Sequence, residues 1–220
     1  MTKLVLRRSH VSENCHNVLQ RVLMHGSLQE LDLGECIGLC SEGLTVVARG
    51  IVTNQTLTTL RLNGVAAARP QSAAMVPMYK ALTQNKTLQV LDLRQTGHVR
   101  EVSPRVYDNL GWTALCALLP QFSLRGLIFD ESLTIGMDRT KLSGFVAAVQ
   151  KNMSLFDIKG FNIEETQHFE YWLKLNRAGR YLVRADHSGM WAHALVHSSE
   201  DPDVLYFFLR QSTLMVNNLS

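Results

Sequence analysis

A leucine frame, L-x-x-L-x-L, returns along this chain at nearly constant spacing. It reads Leu28-Gln-Glu-Leu31-Asp-Leu33, Leu57-Thr-Thr-Leu60-Arg-Leu62 and Leu88-Gln-Val-Leu91-Asp-Leu93. Weaker copies follow at Leu124-Arg-Gly-Leu127-Ile-Phe129 and Leu155-Phe-Asp-Ile158, and the chain opens inside another, Met1-Thr-Lys-Leu4-Val-Leu6. The frames start at 1, 28, 57, 88, 124 and 155, so the steps are 27, 29, 31, 36 and 31 residues. A fixed period in this range is the signature of a solenoid, whose units bury their apolar faces only against their neighbours.

Each frame is expected to be a short strand, because Leu31 and Leu33 alternate with Glu30, Asp32 and Gly34. Helical patterns lie between frames. They run from Asn14 to His25, Glu42 to Thr53, Ser72 to Gln84, Asp108 to Leu119 and Leu142 to Lys151. Alternating strand and helix predict an α/β fold, a right-handed coil with parallel inner strands and outer helices. The two longest steps put extra residues, Val65 to Gln71 and His98 to Val106, into strand-to-helix loops. Insertions on one side of successive repeats can form a binding edge, and drift in a cheaply extended loop explains them equally well.

After Ile163 the repeat stops. Glu164 to Asn176 and Ser188 to His197 read as helices. Asp201 followed by Pro202 gives a third a clear start, with Val204, Leu205, Phe208 and Leu209 as its apolar stripe. The expected organisation is a repeat array over 1–163 and an α-helical C-terminal cap over 164–220. The first frame begins at Met1, so the N-terminal end of the core is expected to be open, covered by an upstream segment or a partner.

Composition narrows the function classes. The chain has 220 residues, 22 basic and 19 acidic, with a formal charge of +3, too mild for a dedicated nucleic-acid binder. Four cysteines (Cys15, Cys36, Cys40, Cys116) do not make a disulfide framework, and no apolar run of about 18 residues suggests a membrane span. A soluble, cytoplasmic setting is expected. Three Asn-x-Ser/Thr triplets (Asn54-Gln-Thr56, Asn85-Lys-Thr87, Asn152-Met-Ser154) precede frames. They are read as left-handed helix ends and turns rather than glycosylation sites.

The frames, the step of roughly 29 residues and the helical second half of each repeat resemble ribonuclease-inhibitor-type leucine-rich repeat proteins. Cys36 falls where that pattern alternates asparagine and cysteine; the other copies carry Ser9, Val65, Thr96 and Ser132. The tail, Leu173-Lys-Leu-Asn-Arg-Ala-Gly-Arg180 with Asp201-Pro-Asp-Val-Leu-Tyr-Phe-Phe-Leu209, is similar to the end module of intracellular repeat proteins of diatoms and related algae. The resemblance implies a horseshoe closed by a helical cap, with no assigned biochemical activity.

The register predicts the residues of the concave sheet. One row is Val5, Asp32, Arg61, Asp92, Ile128 and Lys159. Its neighbours are Lys3, Glu30, Thr59, Val90, Gly126, Asp157 and Arg7, Gly34, Asn63, Arg94, Asp130, Phe161. Strands about 4.8 Å apart would set Asp32, Arg61 and Asp92 as an alternating charge ladder. The candidate partner-binding residues are Glu30, Asp32, Arg61, Asn63, Asp92, Arg94, Asp130 and Lys159. A self-compensated face kept for solubility is the alternative.

Lys174, Arg177, Arg180 and Arg184 form a basic cluster that could hold phosphate or an acidic partner, although dipole complementation explains the first two as well. His193 and His197 have helical metal spacing, but Ala194 stands where a metalloprotease carries glutamate, so packing is the preferred reading. Cys36 and Cys40 lack a paired zinc spacing, and no metal or cofactor is expected. Trp172, Trp191, Tyr206, Phe207 and Phe208 are read as core filling, with an exposed hot spot as the alternative.

No phosphate loop, dinucleotide pattern or nucleophile elbow is present, so no enzyme is expected. The leading expectation is a protein-interaction scaffold, with no nucleic acid, membrane or small-molecule substrate. Two alternatives are a GTPase activator using Arg61, Arg94 or Arg100, and a fragment of a larger repeat receptor.

Overall fold

In the computed structural model the described residues are 2–24, 26–69, 72–94, 110–130, 138–180, 194–196 and 200–217. Each leucine frame forms a three-residue strand: β1 (Lys3–Val5), β2 (Glu30–Asp32), β3 (Thr59–Arg61), β4 (Val90–Asp92), β5 (Gly126–Ile128) and β6 (Asp157–Lys159). They make one six-stranded sheet in chain order, and every neighbouring pair is parallel. Parallel neighbours cannot be joined by a tight turn, so each connection crosses back, here through a helix.

Those helices are α1 (Glu13–Met24), α2 (Ser41–Thr53), α3 (Val76–Gln84), α4 (Leu110–Leu118) and α5 (Arg139–Lys151). Strand alternation decides which face they cover. Leu31, Leu60, Leu91 and Leu127 at the strand centres are fully buried, and so are Leu33, Leu62 and Leu93 two residues on. Leu44, Val47, Ala48 and Ile51 meet them from α2. Fully burying a leucine contributes roughly 1.5–3 kcal/mol, so the repeated frame is the main source of stability.

Two helices start or end where proline dictates. Ser72 was expected to open a helix, but Ala73–Met75 is a 3-10 turn and the α-helix begins at Val76, with Pro77 in its first turn. Proline has no N–H and is tolerated in a first turn but not in a helix interior. Likewise α4 gives way to a 3-10 turn at Leu119–Gln121, which contains Pro120.

The core changes character along the chain. In its C-terminal half Trp112, Phe129, Phe145, Phe161 and Phe169 pack with ring centroids 5.1–6.3 Å apart, mostly edge to face. Gly160 permits this. Its φ of +94° turns the chain, and a Cβ there would lie 2.3 Å from the Phe129 carbonyl oxygen.

Helix α6 (Ile163–Arg177) starts with a capping box made by Asn162 and Glu165. It serves two cores at once. Phe169 and Leu173 join the main core, whereas Leu175 and Ala178 pack with Ala194, Val204 and Phe208 in a smaller one. The last helix, α7 (Pro202–Asn217), begins as expected at Asp201, whose Oδ1 accepts a 3.3 Å bond from the Val204 N–H. Of the helix expected over Ser188 to His197, residues 194–196 are described and are helical. Phe208 is buried as core filling requires and Tyr206 is exposed, while Trp191 lies outside the described residues. No helix among the described residues is long and apolar enough to cross a membrane.

Of the expected horseshoe, the structure shows a six-stranded, all-parallel sheet with helices packed on one face.

Candidate binding surface

Among the described residues no helix packs on the other face of the sheet. Strand pairing sets Lys3, Glu30, Thr59, Val90, Gly126 and Asp157 in one row, and Val5, Asp32, Arg61, Asp92, Ile128 and Lys159 in the next. Thr59, Val90, Gly126 and Ile128 are partly exposed at its centre. Among the described residues a Cβ on Gly126 would meet only Val90, at 3.7 Å, in ordinary contact.

The expected charge ladder is not how the ions pair. Asp32, Arg61 and Asp92 are in register, yet the Arg61 guanidinium reaches across to Glu30 in the neighbouring row, at 3.3 Å. Lys3 reaches the same carboxylate at 3.1 Å. These bonds, from Lys3 first and then Arg61, hold the Glu30 carboxyl below its usual range. Asp32 and Asp92 instead close turns. Asp32 Oδ1 accepts from the Gly34 N–H at 2.8 Å, and Asp92 Oδ1 from the Arg94 N–H at 3.2 Å. Aspartate is a good turn former because its carboxylate caps the amide two residues on.

Asp92 is buried and is held by the Arg94 fork, with Nε at 3.0 Å and Nη2 at 2.7 Å. Its place is therefore beneath the surface on which it was expected. Asn63 is buried too, and Phe161 has left the third row for the aromatic core because Gly160 turns the backbone. Lys159 and Asp157 remain exposed and pair at 3.5 Å.

Sequence reasoning missed the turn that follows β1 and β2. Arg8 and Glu35 both have left-handed backbone, φ 61° and 56°, at the frame position that the next repeat fills with Gly64 at φ 72°. A non-glycine side chain is strained there. The two residues stack in adjacent repeats and pair, Arg8 Nε to Glu35 Oε2 at 2.9 Å, and Arg7 Nε donates to Glu35 Oε1 at 3.1 Å. Arg7 first, then Arg8, hold the Glu35 carboxyl below its usual range. The visible signal was a charged residue at the frame position where the third repeat places glycine.

The opposite ends of the strands carry a different polar system. Asn54, Asn85 and Asn152 are buried at helix C-caps, but their backbone is extended, with φ of −75°, −78° and −75°, not left-handed as expected. Each side chain Oδ1 accepts from the N–H groups two and three residues on, at 2.6–3.0 Å. Each Nδ2 donates backwards into the preceding repeat: Asn54 to Leu23, Asn85 to Ile51 and Asn54, Asn152 to Leu119 and Phe122. Asn176 repeats the pattern onto the Asn152 and Leu155 carbonyls. These amides are committed to the interior, which is why they serve the fold and not glycosylation.

The predicted basic cluster is divided by the fold. Arg180 is buried against Trp172, with its guanidinium carbon 5.1 Å from the ring centroid. It donates to the Asn152 carbonyl at 2.5 Å and to Asn176 Oδ1 at 3.0 Å, completing the asparagine series. Lys174 pairs with Asp201 at 2.9 Å, Arg177 pairs with Glu170, and Arg184 lies outside the described residues.

His193, His197 and Arg100 also lie outside them. Cys36 is buried, its thiol donating to the Leu6 carbonyl at 2.9 Å. Among the described residues no group of three or more metal-ligating side chains comes together.

No family model matches the chain, and no curated protein matches it. Solved structures do. A tropomodulin C-terminal domain from Caenorhabditis elegans aligns with TM-score 0.55 and 15% identity, over 78% of this chain and 96% of that one. The actin-binding site 2 domain of leiomodin-1 aligns with TM-score 0.59 and 14% identity, over 81% of this chain and 96% of that one. Likeness at such identity is a likeness of fold.

This finding corrects the resemblance to ribonuclease-inhibitor-type repeat proteins and to the algal family. The leucine frame reports only the inward positions of a short stacked strand, which any such array requires, so it did not separate the families. The architecture of this chain is that of the tropomodulin and leiomodin domains.

Proposed function

We propose that this chain is a non-catalytic protein-binding module that engages its partner through the helix-free face of the sheet. The observation that carries this reading is the partly exposed centre of that face, Thr59, Val90, Gly126 and Ile128, bounded by Glu30 and Arg61 on one side and Asp157 and Lys159 on the other. An apolar centre with a charged rim is the usual anatomy of a protein contact. The likeness to a leiomodin-1 domain described as an actin-binding site supports actin as the first partner to test.

Of the predicted contact residues, Glu30, Asp32, Arg61, Arg94, Asp130 and Lys159 belong to the contact in this reading, while Asn63 and Asp92 shape it from below. Residues 1–163 carry the surface, and 164–220 close the end of the core. The GTPase-activating alternative is not favoured by the likeness to a domain described as an actin-binding site, and its candidate Arg100 lies outside the described residues.

The test is co-sedimentation with actin filaments, with native-gel binding to monomeric actin beside it. Arg61→Glu with Lys159→Glu is expected to weaken binding roughly tenfold or more. Arg49→Glu with Lys80→Glu, an equal charge change on exposed helix positions, leaves it within about twofold. Equal loss in both variants, or no binding to either form of actin, would sink the actin reading.

A further inference from the structure

We propose that the turn edge formed by Arg7, Arg8 and Arg94 is a docking edge for an acidic peptide segment of the partner. The inference rests on the protein-binding reading of the sheet and adds the chemistry of what is bound.

Three observations carry it. Each cation on this edge faces outward while its counter-charge is covered. The side chains of Arg7, Arg8 and Arg94 are 46%, 74% and 55% exposed, against 15% for Glu35 and 2% for Asp92. An approaching partner therefore meets guanidinium groups first, three of them over two covered carboxylates. Secondly, the cations share one edge. Arg7 and Arg94 occupy equivalent positions just beyond β1 and β4, two residues after Val5 and Asp92, which stand in the same row.

Thirdly, the edge is built at a cost. Arg8 and Glu35 hold left-handed backbone where the following repeat uses glycine. Strain of this kind persists only where surrounding contacts enforce it, and it gathers at ligand clamps. Here it fixes two exposed guanidinium groups on a single covered carboxylate, which uses two of the five N–H donors of Arg7 and one of those of Arg8.

Guanidinium forks match carboxylates in two-point contact, so glutamate- or aspartate-rich chain is the complementary ligand. The overall charge of only +3 disfavours a nucleic acid, whose affinity rests on many phosphate contacts.

The experiment measures fluorescence anisotropy of a labelled ten-residue glutamate peptide against the full chain at low and moderate salt. Four proteins are compared: the wild type, Arg7→Gln with Arg8→Gln, Arg61→Gln, and Arg49→Gln with Lys80→Gln. Circular dichroism and thermal melting check that each is folded. A ten-nucleotide single strand of thymidine competes in a parallel titration.

The expected result is salt-sensitive binding that falls roughly tenfold in the Arg7/Arg8 variant and less than about twofold in the helix-layer variant. Equal losses in those two would overturn the proposal, since net charge alone would then explain the affinity. So would absence of peptide binding to the wild type, or tighter binding of the oligonucleotide. Loss confined to Arg61→Gln would also overturn the edge while leaving the sheet reading intact. Failure of the sheet reading itself is read separately, from actin binding by the same four proteins.

Discussion

The two ends of the strands are equally polar in sequence and opposite in use. Before the strands, Asn54, Asn85 and Asn152 turn neutral amides inward and satisfy carbonyls of the preceding repeat. After the strands, Arg7, Arg8, Glu35 and Arg94 set charges at the surface over partly covered counter-ions. The difference teaches what a polar residue is for in a stacked array. A neutral group that spends all its bonds on the interior holds repeats together, and a charged group that keeps bonds free is available to a partner.

The comparison breaks first at the asparagines if it is wrong. Asn85→Ala removes donors to Ile51 and Asn54 and acceptors for the Thr87 and Leu88 amides, leaving buried backbone groups unpaired. Each orphaned group costs roughly 1–3 kcal/mol, so a loss of about 3 kcal/mol or more is expected in chemical denaturation. A loss below about 1 kcal/mol would mean that the amide series is not structural.

A smaller effect is expected on the other side. Arg94→Gln withdraws the fork from Asp92, which is buried. Because Arg94 itself is half exposed, water replaces part of the fork, and the expected loss is roughly 1–2 kcal/mol. A loss as large as that of Asn85→Ala would erase the contrast between the two ends.

The smallest effect is the most diagnostic, because the asparagine amides do not titrate and the charged end does. Glu35 and Glu30 are held below their usual carboxylate range by Arg7 and Lys3 respectively. A depressed carboxyl stabilises the fold above its unfolded value and loses that contribution as pH falls through its folded value. The melting temperature is therefore expected to drop below about pH 4–5 in the wild type and to drop less in Glu35→Gln. Identical acid profiles for the two proteins would remove Glu35 from the account.

Much of the fold could be read from the frames, since a period-2 pattern specifies which side chains enter the core and hence the rows opposite. Leu31, Leu60 and Leu91 needed no further information. The asparagines were visible as a recurring Asn-x-Ser/Thr three residues before a frame, but their partners lie 30–34 residues away in the preceding repeat, beyond local turn chemistry.

The basic cluster misled for a related reason. Asp201 reaches Lys174 only when α7 folds back on α6, although Glu170, seven residues before Arg177, was in plain sight. Phe161 left the predicted surface because of one glycine. The frame could not show that Gly160 takes a left-handed conformation and turns Phe161 into the aromatic core.

Hydroxyl-radical footprinting of side chains with and without actin tests the central claim, that the helix-free face is the contact. Val5, Val90 and Ile128 on that face are expected to lose labelling on binding, while Val18, Val52 and Tyr206, exposed elsewhere, keep theirs. Protection of Val18, Val52 or Tyr206 with the sheet face unchanged would contradict the account.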